Sequence, residues 1–195
     1  MIDVELSDAS LRDWLRSKTR TAHDRADATF GALLQEGAQG YATLLAAHAL
    51  SAPALCFRIR MQPTLPFAPD FSPALVTALL NRDLQALGLK TPTPHPPDGF
   101  LTAAECAGAA YTLAGSRLGA KVIARQWRDE WPDNRFSSAY LNHDNLFGDW
   151  RTFCGRLNAL ADGALDRDLI LKGALEAFAL FETACTAATP LASDV

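Results

Sequence analysis

The sequence predicts a single all-α domain, a helical bundle. Three observations point there. Apolar residues recur at helical spacing along most of the chain. No alternating Val/Ile/Thr run marks a strand. The 195 residues are 49% hydrophobic and 21% charged, an ordinary globular composition at a length where one domain is the default. A chain of this size buries roughly 70% of its unfolded surface, which argues against disorder.

The first helix is expected over about 8–30. Ser10 and Asp13 form a capping box, and Leu11, Trp14, Leu15, Ala22, Ala26 and Phe30 make the apolar stripe. Gly31 and the stretch 36–40 interrupt it. A second helix fits 39–62, with Tyr41, Leu44, Leu45, His48 and Leu55 near one face, and Pro53 should kink or split it. The proline-rich segment 63–73 reads as a loop. A helix over 73–88 ends at Gly88, a C′ glycine, and 91–99 is a stiff extended crossover within the one domain, whose core spans about 8–188. Thr102 and Glu105 open a long helix to about Trp131, stopped by Pro132. Residues 133–144 are loop or short helix. Leu146, Trp150, Phe153, Leu157 and Leu160 mark a helix ending near Asp162-Gly163, and Asp166 caps the last one, through Phe178, Phe181 and Cys185.

Several function classes fall away. The net charge is −4 and no Lys/Arg block stands out, which disfavours a nucleic-acid binder. No apolar run reaches the roughly 20 residues of a membrane span. The acidic, polar N-terminus is not a secretory signal, so a cytoplasmic location is expected. Cys56, Cys106, Cys154 and Cys185 form no CxxC pair and read as buried reduced thiols rather than a zinc site. No H-E-x-x-H, E-x-x-H or G-x-S-x-G motif occurs, nor a flavin or nicotinamide glycine fingerprint. Histidine chemistry is limited to His23, His48, His95 and His143. Of these, His48 is expected in or beside the core, His95 exposed, and His143 with Asp144 at a helix start.

The anomaly is the helix over 102–131. Gly108, Gly115 and Gly119 share one face with Thr112, and each mid-helix glycine costs about 1 kcal/mol relative to alanine. Either another helix packs very closely there or a flat ligand approaches the backbone. A kink is expected at Gly115-Ser116. In the first helix, His23 borders Ala22 and Ala26, with Thr19 and Arg16 one and two turns earlier. His23 is either a satisfied, half-buried histidine or a ligand. Neutral imidazole is a common ligand for haem iron, and Arg16 could pair with a carboxylate.

Together these residues resemble the haem oxygenases, particularly the bacterial branch that makes biliverdin for phytochromes. Leu11-Arg12, Leu15-Arg16, Thr19, His23 and Asp27 are similar to the family's proximal-helix pattern. Tyr41, Leu44-Leu45, His48 and Pro53 are similar to the segment that follows, and 82–88 (RDLQALG) to the end of a middle helix. Gly108 and the run Tyr111 to Gly119 (YTLAGSRLG) look like the distal-helix signature. The resemblance spans about residues 10–120. It departs at Ala114, where a glutamate is usual, and at Ala120, which replaces the second glycine of the terminal pair and adds a methyl near the distal pocket.

The resemblance implies haem held between two helices. His23 falls on the proximal iron ligand. Gly115 and Gly119 fall on glycines whose backbone approaches the haem and its oxygen, and Ser116 on a residue ordering a distal water network, where the phytochrome-associated branch also has serine. Arg16 falls on a propionate partner. Thr19, Tyr111 and Thr112 line the haem, and Arg151 and Arg156 are further propionate partners. The implied activity is oxygen-dependent cleavage of haem, both substrate and cofactor, to biliverdin, carbon monoxide and ferrous iron. Electrons come from an external donor such as ferredoxin or a reductase, and a bacterial phytochrome is an implied partner. The alternatives are a haem-binding or haem-delivery protein on the same fold, a non-haem enzyme of the thiaminase-like related fold, and a helical module whose glycine face docks a partner helix.

Overall fold

The computed structural model describes residues 10–94, 102–130, 138–160 and 165–189, all helix, turn or loop. The helices are α1 (Leu11–Lys18), α2 (Arg20–Gln35), α3 (Ala38–Arg60), α4 (Pro73–Ala86), α5 (Ala103–Glu130), α6 (Ala139–Asn142), α7 (Trp150–Ala159) and α8 (Arg167–Ala188), with a 3-10 turn at Ala68–Asp70. The predicted crossover beyond residue 94, with His95, and the stretch around Pro132 lie outside the described residues.

Side chains at the helix ends satisfy backbone amides that have no partner within their own helix. Ser10 Oγ accepts from the Asp13 amide at 3.2 Å. Thr102 and Glu105 form the reciprocal box, Glu105 Oε2 accepting from the Thr102 amide at 3.0 Å and Thr102 Oγ1 from the Glu105 amide at 3.2 Å. Asp166 Oδ1 accepts from the Asp168 amide at 2.8 Å. Gly88, at φ +77°, ends the α4 region, and the Leu89 amide reaches back to the Leu84 carbonyl.

Three boundaries differ from the expectation. The first helix breaks at Thr19, whose hydroxyl donates to the Leu15 carbonyl at 2.8 Å. Gly31 does not interrupt α2; the helix runs to Gln35 and the chain turns at Gly37, φ +64°. Pro53 does not split α3, which stays one helix although proline removes a helical hydrogen bond. Most of α3 is buried among α2, α4, α5 and α8, and that packing holds it together. It is long and apolar enough to cross a membrane, but 78% of its apolar window is buried inside the bundle.

His48 lies in the core as expected. Its Nδ1 is 2.8 Å from the Leu44 carbonyl, and its ring is packed among Phe30, Tyr140 and Phe181. His143 follows α6 as its C-cap rather than opening a helix. The four cysteines are free, three of them buried.

The dominant packing is α5 on α8. A Cβ at Gly108 would collide with the Ile170 carbonyl and lie 2.6 Å from the Ala174 amide nitrogen. A Cβ at Gly173 would collide with the Glu105 carbonyl. Each glycine therefore admits the partner's backbone. Thr112 Oγ1 donates to the Ala174 carbonyl at 3.1 Å, and Lys172 pairs with Glu105 across the same contact.

Two predictions follow from this packing. Gly108→Ala loses about 1–3 kcal/mol by overpacking, visible as a lower denaturation midpoint. Acid destabilises in two stages. Burial holds His48 neutral, lowering its pKa from 6.5 to about 4, so the unfolded chain binds a proton the folded one refuses as pH falls through that window. The hydrogen bond from Lys172, foremost, lowers Glu105 from 4.5 to about 2, so its contribution is present above 4.5 and lost between 4.5 and 2. In denaturant titrations at stepped pH, His48→Leu flattens the upper stage and leaves the lower one.

Candidate functional site

His23 stands one turn after Thr19 on α2, with 61% of its side chain exposed. Its Nδ1 is 3.0 Å from Asp27 Oδ2, one turn further on. A carboxylate only accepts, so Nδ1 carries the proton of the neutral ring and Nε2 keeps its lone pair. The ring edge meets Phe178 of α8 at 6.1 Å between centroids, and Arg25 of α2 donates to Glu182 of α8 at 3.2 Å. These contacts seat α2 on α8.

The glycine face of α5 divides in two. Gly108 is covered by α8, as described. A Cβ at Gly119 would meet nothing within 4 Å, and one at Gly115 only the Trp150 ring, at 3.6 Å. Leu118 and Val122 flank these two glycines at helical spacing and are 52% and 58% exposed. Close packing explains the first glycine; the other two form an open, apolar wall.

Both helices pack on α3 and α8 but share at most marginal backbone contact with each other. They meet at one anchor, where the Thr19 hydroxyl lies within hydrogen-bonding reach of the Tyr111 phenol. One turn along from that anchor lie His23 on α2 and Gly115 on α5. Burial raises the Tyr111 pKa, while Thr19, Arg12 and Arg16 act to lower it, so both arginines stand near the phenol. Trp150 closes this end, 6.0 Å from the Tyr111 ring.

Arg16 lies on α1, Thr19 at the break between α1 and α2, His23 on α2, and Tyr111, Gly115 and Gly119 on α5. Ser116 is half-buried on α5, and its hydroxyl donates to the Leu113 carbonyl at 2.7 Å. The helix α5 is continuous through this point. Thr112 is directed at α8 instead. Arg156 is engaged by Asp70 Oδ2 at 3.0 Å, and Arg151 is exposed next to Trp150. Ala114 and Ala120 are both buried, so the Ala120 methyl does not enter the open side of α5. Sequence reasoning gave no role to Leu118, Val122 or Phe178. Their signal was helical spacing from Gly115, and for Phe178 there was none, since its contact with α2 is tertiary. A separate polar groove of about 480 Å³, lined by Lys121, Arg125, Arg128, Asp129, Asn142 and Asp144, contains none of the predicted site residues. Among the described residues no three His, Cys, Asp or Glu side chains are grouped to hold a metal ion.

The all-α bundle has the fold of a solved heme oxygenase. A heme oxygenase of Neisseria meningitidis, solved with NO and CO bound, superposes with a TM-score of 0.74 over 95% of each chain at 20% identity. A heme oxygenase of Xanthomonas campestris pv. campestris (strain 8004) is 34% identical over 110 residues, 56% of this chain. The match spans 66% of that protein, just under two thirds of its length. No protein-family model matches the chain. The likeness to the solved structure shows the fold, and the sequence is similar to part of a heme oxygenase.

The open wall makes a prediction of opposite sign to that for Gly108. Gly119→Ala raises stability by up to about 1 kcal/mol, because the methyl meets nothing and alanine favours helix. Equilibrium denaturation of the two variants side by side checks it.

Proposed function

We propose that the chain is a haem oxygenase that cleaves haem to biliverdin, carbon monoxide and ferrous iron with oxygen and externally supplied electrons. The observation that carries this is the pairing of two surfaces. His23 is exposed with Nδ1 held by Asp27, and α5, whose Tyr111 lies near Thr19, leaves Gly119 uncovered and Gly115 covered only by the Trp150 ring. A single imidazole suits an iron that brings its own macrocycle of ligands, and exposed Leu118 and Val122 suit an apolar plane.

When bound, haem supplies the iron at which oxygen is activated. His23 Nε2 is the proposed iron ligand, and Asp27 fixes its tautomer and ring orientation. Arg16, with Arg12 and Arg151, is proposed to meet the propionates, while Thr19 and Tyr111 line that end. Gly115 and Gly119 let backbone, not side chain, form the wall facing the reacting carbon. The Ser116 oxygen, its proton already donated to Leu113, is left to accept from a water that delivers protons. Thr112 and Arg156 serve packing contacts instead.

Electrons are proposed to come from a carrier such as ferredoxin or a reductase, in the cytoplasm, and Ser116 supports the phytochrome-associated branch. A haem-binding protein without turnover is the reading suggested by Ala114 and Ala120. Both methyls are buried, so neither obstructs the wall.

The test is purified protein with hemin, oxygen and a reducing system. Loss of the Soret band with growth of biliverdin absorbance is expected, and a stable Soret band overturns the catalytic reading. His23→Ala abolishes the normal haem spectrum. Gly115→Leu, driven towards Trp150, weakens hemin binding by at least about tenfold, or 1.4 kcal/mol.

A further inference from the structure

We propose that Arg117 is a positioning residue for the open wall of α5, fixing its path through Gly115 and Gly119 from behind by gripping α6. Asp83 holds α6 at its other end. The effect on haem rests on the function proposed above; the effect on the wall does not.

Within 115–119, Gly115 and Ser116 are half-buried and Leu118 and Gly119 exposed, so Arg117 is the one buried side chain of the stretch. Its guanidinium Nη2 donates to the carbonyls of Tyr140, Leu141 and His143 at 3.0, 2.7 and 3.4 Å. It also lies 5.3 Å from the centre of the Tyr140 ring. A four-residue helix does not stand alone. Fully buried Asp83 of α4 accepts from the Ala139 and Tyr140 amides at 3.0 and 2.8 Å. The carboxylate thus sits at the positive end of α6 and the guanidinium at the negative end. Each buried charge depends on α6 for hydrogen bonds, so α6 is held in one place.

Glycine-bearing helix bends easily. Arg117 is where this one is tied to the bundle. The same α6 leads, through Asn145, Phe147 and Gly148 at positive φ, to Trp150, whose ring lies beneath Gly115. The wall is therefore referenced to α6 twice, once through its own helix and once through the ring beneath it.

Hydrogen exchange on the full chain without haem tests this. The amides of 119–123 bond to the carbonyls of 115–119 and report the stretch directly. Arg117→Met and Asp83→Asn are each expected to speed their exchange at least about tenfold while the α8 amides around Gly173 stay unchanged. Unchanged exchange in 119–123, or a rise shared equally with α8, overturns the proposal. Asp83 bonds the α6 amides and not α5 in 115–119, so Asp83→Asn decides the matter should Arg117→Met fail to fold. Arg117→Lys, which keeps charge and one donor, restores part of the protection. With hemin bound, Arg117→Met is expected to speed hemin release about tenfold without moving the Soret band, since His23 is untouched. If the wild-type chain takes up no hemin, the haem reading falls and the exchange result still stands on its own.

Discussion

Much of this molecule depends on the backbone contact between α5 and α8 at Gly108 and Gly173. Neither position has room for a methyl, and each glycine faces a peptide carbonyl of the opposing helix. Such proximity fixes the spacing of the two helices more tightly than side-chain interdigitation, because backbone cannot change rotamer. The position of α8 then decides where α2 sits, because Phe178 meets the His23 ring and Glu182 holds Arg25. Both walls of the site are measured from one helix. His23 owes its orientation as much to a glycine 85 positions away as to its own turn of α2.

The three glycines of α5 look equivalent in the sequence and are not. All three lie on one face, and helical geometry alone leaves close packing and ligand approach as rival explanations. The fold assigns close packing to the first of them. Gly108 meets α8; Gly115 and Gly119 lie beyond its cover. Thr112 falls on the packed side, which explains why its hydroxyl bonds to Ala174 although its spacing placed it with the ligand-facing residues. A face of a long helix can change function along its length when the neighbouring helix diverges from it.

What was legible in the sequence follows the same logic. Caps are local, so Ser10, Thr102 with Glu105, Gly88 and Asp166 could be read directly. At Pro53 tertiary packing outweighs local preference. Pro53 should break a helix, but α3 is walled in on most sides. The reverse error occurs at Thr19, where a continuous pattern hides a break that sets the Thr19 hydroxyl beside Tyr111. For the site, His23, Arg16, Tyr111 and the two open glycines were legible through spacing and family likeness. The pairing of Arg156 with Asp70 was not legible, because a surface arginine does not announce which carboxylate will engage it. The buried Asp83 and Arg117 were quoted only as letters of motifs, since periodicity does not show that a charged residue will be enclosed by carbonyls and amides.

The site also accounts for the features that weaken this fold. Two mid-helix glycines, one of them without neighbours, Leu118 and Val122 left in water, and an exposed histidine are each unfavourable or neutral for an isolated bundle. They lie together, along the one gap where two long helices are not packed on each other. A random scatter of such defects would carry no meaning. Their concentration on neighbouring elements fits the surface proposed above for haem. The counterweights stand directly behind: Gly108 and Gly173 lock α5 to α8, and Arg117 and Asp83 lock it to α6. Rigidity is concentrated on the buried side of α5 so that its open side can be bare.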